Sequence, residues 1–193
     1  MDQHDKIIDL IDNQARLSGP SKPPRSFMPT TILLRNVIES DLPIFFEQQL
    51  DPVANQMAAF PAREREAFMA HWASILADES NILKTILYGD QVAGNIVSWE
   101  HADKGSEREV GYWLGRAFWG KGIATQALSL FLEEVTTRPL YAYVAKHNLA
   151  SIRVLENCGF TITGEDQALS STGNEEVEAV ILKLSANERD AAP

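Results

Sequence analysis

Residues 119–128 read WGKGIATQAL. Gly120 and Gly122 flank a lysine, and a segment with the apolar spacing of a helix begins directly after them. The first N–H groups of a helix have no internal partner and carry the positive end of its dipole, so a helix start attracts anions. Glycines let the backbone approach such a ligand closely. The stretch therefore predicts an anion-binding loop between a strand and a helix, although the chain has a formal net charge of −10.

The segments on either side of this loop alternate between strand and helix patterns. Strands are predicted in TILLRNV, NILKTILY, QVAGNIVSWE, EREVGYWLG, PLYAYVA, FTITGE and EVEAVILKL. Helices are predicted in LPIFFEQQL, AREREAFMAHWASILAD, GIATQALSLFLEEV and NLASIRVLENCG. Ser40 or Asp41 can cap the first helix, and the second should bury Phe68, Trp72, Ile75 and Leu76. The pattern predicts an α/β (α+β) domain with a central, largely antiparallel sheet and a βαβα segment in its second half.

The domain organisation follows from length and local composition. A chain of 193 residues is expected to form one domain. Residues 1–28 are predicted to be an N-terminal extension, with a short amphipathic helix followed by the proline-rich SGPSKPPRSFMP. The folded domain is expected over 29–186, and 187–193 is expected to be a C-terminal tail. A polar loop, DQALSSTGNE, should separate the last two strands.

Composition also limits the expected cellular compartment and the expected binding partners. Cys158 is the single cysteine, which fits a reducing compartment. No apolar run reaches the length of a membrane span, and the N-terminus lacks the pattern of a secretory signal, so we expect a cytoplasmic protein without membrane contact. The acidic charge argues against nucleic acid as a partner. No metal is expected, because His71, His101 and His147 lack metal-ligand spacing. A homodimer is the common default for such a chain.

Two nucleotide-binding motifs come close to the loop sequence. Gly115 to Gly122 reads GRAFWGKG, near the P-loop pattern, but Gly122 occupies the place of the Ser or Thr that binds Mg²⁺. The dinucleotide fingerprint would require glycine at Thr125. A P-loop nucleotide-binding protein remains an alternative that the sequence ranks low.

Two blocks in the second half resemble the GNAT N-acetyltransferase superfamily, and most closely its branch of ribosomal-protein N-terminal acetyltransferases. EVGYWLGRAFWGKGIATQAL is similar to the acetyl-CoA block with its Q/R-x-x-G-x-G/A loop, with Trp119 in the place of the usual Gln or Arg. NLASIRVLENCGF is similar to the branch pattern N-x-x-S followed by GF. The resemblance covers roughly residues 31–184.

The resemblance implies the fold of an acyl-CoA N-acyltransferase, with acetyl-CoA held between the EVGYWLG and PLYAYVA strands. The pyrophosphate would lie on the loop and helix start, and the pantetheine arm beside the backbone of Trp113 and Leu114. The Trp113 N–H would stabilise the oxyanion. Asn148 would cap its helix and contact the pantetheine. The implied cofactor-binding residues are Trp113, Leu114, Trp119, Gly120, Lys121, Gly122, Ile123, Ala124, Thr125 and Asn148.

The resemblance further implies direct acetyl transfer to a primary amine within a ternary complex. Glu109 is the expected general base, with Glu100 as the alternative. Ser151 is expected to protonate the leaving thiolate. The tyrosine that many GNAT enzymes place one turn later is Leu155 here. A noncatalytic acyl-CoA-binding or sensing domain on the same fold is the other alternative, and the amine acceptor, a protein N-terminus or a small amine, is left open.

Overall fold

A computed structural model describes residues 31–101, 107–169 and 176–186. The predictions made for residues 1–28, for the tail 187–193 and for part of the loop between the last two strands lie outside these residues. The sheet has seven strands in the order β1-β2-β3-β4-β5-β7-β6. They are β1 Ile32–Asn36, β2 Ile82–Tyr88, β3 Gln91–His101, β4 Glu107–Leu114, β5 Leu140–Ala145, β6 Thr161–Leu169 and β7 Glu176–Leu184. Every neighbouring pair is antiparallel except β4 and β5, which confirms the predicted mixed, mostly antiparallel sheet.

Five α-helices flank the sheet within the described residues. They are α1 Leu42–Gln49, α2 Pro52–Ala58, α3 Arg65–Ala77, α4 Ile123–Glu134 and α5 Leu149–Asn157. Short 3₁₀ turns cover Glu39–Asp41 and Arg116–Phe118. The first turn leads into α1, and the second lies between β4 and the glycine loop.

The apolar side chains form two clusters. The larger one joins strand residues such as Ile96 to Leu128 and Phe131 of α4, and all three side chains are fully buried. The smaller one holds Phe45, Phe68 and Trp72 of α1 and α3. Because successive strand side chains point to opposite faces, the sheet separates these clusters. Burial of this apolar surface is the main force that fixes the helices on the sheet.

The parallel strands β4 and β5 pair over a short length only. Their register contains Arg108 opposite Leu140 and Glu109 opposite Tyr141, and it extends no further. Beyond Glu109 the two strands diverge toward their C-terminal ends. The central sheet therefore opens beyond Glu109, along the part of β4 that leads to the glycine loop, as the resemblance implied.

Asp41 does not cap α1 with its side chain as predicted. Its carboxylate receives two hydrogen bonds from the Arg35 guanidinium at 2.6 and 2.7 Å and one from the Thr85 hydroxyl at 2.6 Å. Burial alone would raise the pKa of Asp41, but these hydrogen bonds and the Arg35 charge outweigh it and lower the pKa. Asp41 thus ties the start of α1 to β1 and β2 instead of closing a helix end.

Three further differences concern an additional helix, the burial of one side chain and the extent of one strand. The helix α2 was not predicted, although Asp51 before Pro52 is a typical helix start, and the Asp51 carboxylate accepts the N–H groups of Val53 and Ala54. Leu76 is 40% exposed rather than buried. The first residues of the predicted loop DQALSSTGNE continue β6 as far as Leu169, because they pair with β7 in antiparallel register.

Candidate functional site

A cavity of about 400 Å³ opens beside the end of β4. It lies between α2 on one side and the starts of α4 and α5 on the other. Its walls include ten of the residues expected to form the site: Trp113, Leu114, Trp119, Gly120, Gly122, Ile123, Ala124, Thr125, Asn148 and Ser151. Residues that are far apart in the sequence therefore meet in one pocket, and the described residues that line it do not include Lys121 or Glu109.

The loop before α4 has the backbone geometry that its glycines allow. Gly120 and Gly122 adopt positive φ angles of 71° and 72°, which residues with a side chain rarely adopt. Gly122 is the residue before the first turn of α4. The N–H groups of that turn have no partner within the helix, and its residues Ile123, Ala124 and Thr125 line the cavity.

The Trp119 side chain braces the same loop. Its indole N–H donates a 2.9 Å hydrogen bond to the carbonyl of Leu114 at the end of β4. The ring is 38% exposed at the cavity wall. Trp119 therefore fixes the distance between the strand end and the glycine loop while leaving part of its ring for a ligand.

Lys121 faces away from the cavity. Its ammonium group donates a 2.8 Å hydrogen bond to the carbonyl of Ala117. It also lies 5.7 Å from the ring centroids of Tyr88 and Phe118, a cation–π arrangement. In this conformation Lys121 holds the turn before the loop together, so the backbone N–H groups of the loop are its candidate groups for binding an anion.

The hydrogen-bond ladder sets the direction of the backbone groups on β4. Asn95 lies opposite Trp113, and the next pair is Gly94 and Leu114. The N–H of Gly115 donates to the carbonyl of Ala93 at 2.9 Å. In an antiparallel ladder bonded and non-bonded pairs alternate, so Asn95 and Trp113 exchange their backbone hydrogen bonds. The Trp113 N–H therefore faces β3, which corrects the expectation that it faces the acyl group.

The backbone groups of Tyr112 and Leu114 point to the opposite edge of β4. That edge borders the gap between β4 and β5, because the pairing of these strands ends at Glu109 and Tyr141. An extended ligand in the gap can meet the strand edge there as an added strand does. The indole N–H of Trp113 is used elsewhere and donates to the carbonyl of Gln48 on α1 at 3.3 Å.

Asn148 and Ser151 sit together at the start of α5. The Asn148 side-chain oxygen accepts the N–H of Ser151 at 3.1 Å, so Asn148 caps the helix as predicted. This bond leaves the amide NH₂ of Asn148 for another partner on the cavity wall. It also fixes the backbone of Ser151 in the first turn.

Tyr112 is a site residue that the sequence analysis did not identify. Its hydroxyl lies 2.7 Å from the Ser151 hydroxyl and 3.2 Å from the Ser151 carbonyl, and its side chain lines the cavity. Burial raises the pKa of Tyr112 to about 12, against the opposing effect of the hydrogen bond with Ser151. In the sequence, only its position two residues before Leu114 indicates that its side chain lies on the same face of β4 as that of Leu114.

Glu109 lies on the other face of the sheet, in a row that crosses three strands. It stands opposite Trp99 on β3 and Tyr141 on β5, and directly paired residues point to the same face. The Trp99 ring covers the neighbouring Gly111, since a Cβ there would lie 3.3 Å from it. Glu109 is only 6% exposed. This carboxylate is therefore enclosed beside aromatic side chains, next to the point where β4 and β5 separate.

Glu100, the alternative base, occupies a different environment. Its carboxylate forms a 2.6 Å ion pair with the guanidinium of Arg108, which also donates to the Ser80 carbonyl and the Ser98 hydroxyl. Glu100 stands opposite Arg108 in the ladder, on the face away from Glu109. The Glu100 carboxylate is thus already engaged by a buried arginine.

Two absences concern the part of the chain that the structure describes. Across 31–101, 107–169 and 176–186, no three His, Cys, Asp or Glu side chains are grouped as a metal site would require. None of the helices in these ranges has the length and apolar character to cross a membrane.

Comparison with known proteins gives one family and one curated relative. The sequence model of the acetyltransferase (GNAT) domain matches residues 31–161. A Bacillus subtilis (strain 168) protein with the name "Putative ribosomal N-acetyltransferase YdaF" is 30% identical over 106 residues, which are 52% of this chain and 57% of that protein. The match thus spans little more than half the length of this relative.

Solved structures share the fold. RimL, the ribosomal L7/L12 alpha-N-protein acetyltransferase in complex with coenzyme A, superposes with a TM-score of 0.69 at 21% identity, over 81% of this chain and 94% of that one. The spermidine N-acetyltransferase from Vibrio cholerae, in complex with CoA and spermine, has a TM-score of 0.69 at 14% identity, over 80% of this chain and 95% of that one.

Proposed function

Because the chain belongs to the GNAT acetyltransferase family, we propose that it transfers the acetyl group of acetyl-CoA directly to a primary amine in a ternary complex. The observation that carries this proposal is the cavity at the end of β4. There the positive-φ glycine loop, the start of α4 and the pair Asn148 and Ser151 face one opening in the sheet. The family membership favours acetyl-CoA over the P-loop alternative.

In the proposed complex, acetyl-CoA lies along the cavity with its pyrophosphate at the start of α4. The N–H groups between Gly120 and Thr125 bind the phosphate oxygens, and the helix dipole adds to the attraction. The pantetheine arm follows the free edge of β4 toward the sheet, and the Asn148 amide NH₂ donates to it. Bound CoA in the related structures named above supports this assignment.

The oxyanion that forms at the acyl carbon needs a donor inside the gap. The Trp113 N–H is engaged with β3, so we assign this role to the backbone N–H of Leu114, which points toward the gap between β4 and β5. A donor fixed in a strand requires no reorganisation during the reaction, which makes it effective for stabilising developing charge.

Glu109 is the proposed general base, acting through a water molecule. It lies beside the position where the strands separate, on the sheet face opposite the cavity-lining Tyr112. The amine can therefore approach from one side and the thioester from the other. Through the water, Glu109 takes one proton from the ammonium form of the acceptor. The neutral nitrogen then forms the new C–N bond, the C–S bond breaks, and the nitrogen loses its second proton to solvent. The ion pair of Glu100 with Arg108 disfavours it for this role.

Ser151 is the proposed proton donor for the departing thiolate. Its hydroxyl is at the cavity wall, in the helix turn fixed by Asn148. The thiolate of CoA leaves with the electron pair of the C–S bond and takes the serine proton, which solvent then restores. No acetylated enzyme is formed in this scheme.

The acceptor is proposed to be a protein or peptide α-amine or a small primary amine, and the protein to act as a homodimer in the cytoplasm. The names of related proteins cover both acceptor classes, since they include ribosomal-protein and spermidine acetyltransferases.

The test is CoA release, followed with a thiol reagent, on panels of N-terminal peptides, polyamines and aminoglycosides. Release that depends on one class identifies the acceptor. Saturable CoA binding without release on any panel would favour the noncatalytic alternative.

A further inference from the structure

We propose that Tyr112 is a positioning residue, which orients the Ser151 hydroxyl so that its proton points at the sulfur of bound CoA. The inference rests on the proposed function, since it assigns a role within the same site. It concerns a residue on β4 and a residue on α5 that meet only in the folded chain. Their hydroxyl oxygens are 2.7 Å apart.

The number of protons in this contact decides which way the hydrogen bond must run. A serine hydroxyl has one proton to donate and two lone pairs to accept with. If Ser151 donates to Tyr112, it has no proton for the sulfur. If Tyr112 donates to Ser151, the serine proton is available for a third group. Only the second arrangement lets Ser151 stabilise a thiolate.

The geometry allows Tyr112 to switch between two acceptors on one residue. Its hydroxyl is 2.7 Å from Ser151 Oγ and 3.2 Å from the Ser151 carbonyl oxygen. The shorter contact is the one expected for a good O–H···O bond. When a thiolate draws the serine proton, the tyrosine hydroxyl can continue to donate to the serine oxygen without any movement of heavy atoms.

Tyr112 keeps its proton at neutral pH, because burial raises its pKa to about 12. It therefore serves as a constant donor and does not itself supply the proton that the thiolate takes. The Asn148 cap holds the backbone of Ser151 on the other side of the contact. The Asn148 cap thus fixes the backbone of Ser151, and the hydrogen bond from Tyr112 fixes the remaining rotation of the serine hydroxyl.

The thiol of bound CoA reports this orientation without any acceptor amine. A hydrogen bond to the thiolate stabilises the charged form and lowers the thiol pKa. The measurement is the ultraviolet absorbance of the thiolate against pH in the CoA complex, minus the same titration of the desulfo-CoA complex, which cancels Cys158 and the tyrosines. The variants are Tyr112→Phe, Ser151→Ala and the double substitution, with Tyr88→Phe as the matched control.

We expect the thiol pKa in the native complex to lie below that of free CoA. Tyr112→Phe and Ser151→Ala should each raise it by about one unit, a tenfold change in the ionisation constant, and the double variant should raise it no further. At a pH well below these thiol pKa values CoA affinity should not change, and the Tyr88→Phe titration should match that of the native protein. A Tyr112→Phe complex with the native thiol pKa would overturn the inference, whatever Ser151→Ala does. Failure of the native protein to bind CoA would instead overturn the proposed function, and the inference with it.

Discussion

The hydroxyl of Tyr112 on β4 lies 2.7 Å from the hydroxyl of Ser151 on α5. This contact closes one wall of the cavity, and Gly120 and Gly122 shape its mouth. On the opposite face of the same strand, Glu109 is enclosed beside Trp99 and Tyr141. The contact of the proposed proton donor and the proposed base thus lie on opposite faces of β4, next to the gap between β4 and β5.

Replacing Glu109 with glutamine removes the proposed base and keeps the size of the side chain. We expect kcat/KM for the amine to fall about 100-fold at neutral pH, within the range that general bases contribute. The loss should shrink as the pH approaches the pKa of the acceptor amine, because the neutral amine then needs no base. A pH–rate profile measures this effect.

Glu100→Gln is the matched control for that profile, because its carboxylate pairs with Arg108 on the other face. It should change the rate severalfold at most. An equal loss in Glu109→Gln at every pH, or a larger loss in Glu100→Gln, would move the base away from Glu109.

Gly122→Val tests the loop. Gly122 has φ of 72°, and a Cβ there would approach only the Gln126 amide at 3.8 Å. The cost is therefore strain in the backbone, about 1 to 3 kcal/mol for a side chain in this region. We expect at least a tenfold weaker Kd for CoA by calorimetry. The control is Gly164→Ala on β6, where φ is not positive and an added Cβ would lie 3.7 Å from the Ile181 side chain. This variant should bind CoA as the native protein does. A native Kd in Gly122→Val would exclude the loop from the site.

Trp119→Phe removes the indole N–H but keeps an aromatic ring at the cavity wall. The lost bond to the Leu114 carbonyl is 2.9 Å long, and a hydrogen bond of this kind contributes about 1 kcal/mol. The free energy of unfolding should fall by about this amount, and CoA affinity should fall severalfold because the less constrained loop must be ordered on binding. If Trp119→Phe binds CoA normally, the loop holds its shape without this brace.

Most of the sheet and four of the five α-helices could be predicted from the spacing of apolar residues and the placement of glycines, because long segments with regular apolar spacing carry a strong signal. The role of Asp41 could not. The Asp-Leu-Pro sequence at residues 41–43 is typical of a helix cap, but Arg35 and Thr85 offer the carboxylate stronger partners across two strands. Tyr112 was missed for the same reason, since its partner Ser151 is 39 residues away. Local patterns do not encode contacts that depend on the register of distant strands.

Asp41→Asn tests that buried network through its pH dependence. The pKa of Asp41 is lowered in the folded protein, so its charge stabilises the fold above the ordinary value of 3.8 and this contribution is lost as the pH falls through the lowered pKa. At pH 7 the free energy of unfolding should drop by about 2 kcal/mol, as for hydrogen bonds to a charged group. The difference from the native protein should shrink in acid.

Urea denaturation at several pH values measures this difference. Asp90→Asn, at the exposed hairpin turn, should change stability by no more than about 0.5 kcal/mol. A difference for Asp41→Asn that is independent of pH would mean that the charge of Asp41 does not act on stability.

The most direct test of the acetyltransferase assignment is a calorimetric titration of the purified protein with acetyl-CoA in the absence of metal, followed by a titration with Mg²⁺-ATP. We predict saturable binding of acetyl-CoA, weaker binding in Gly122→Val, and no binding of the nucleotide. Absence of acetyl-CoA binding, or binding of Mg²⁺-ATP at the same loop, would contradict the assignment of this cavity to CoA.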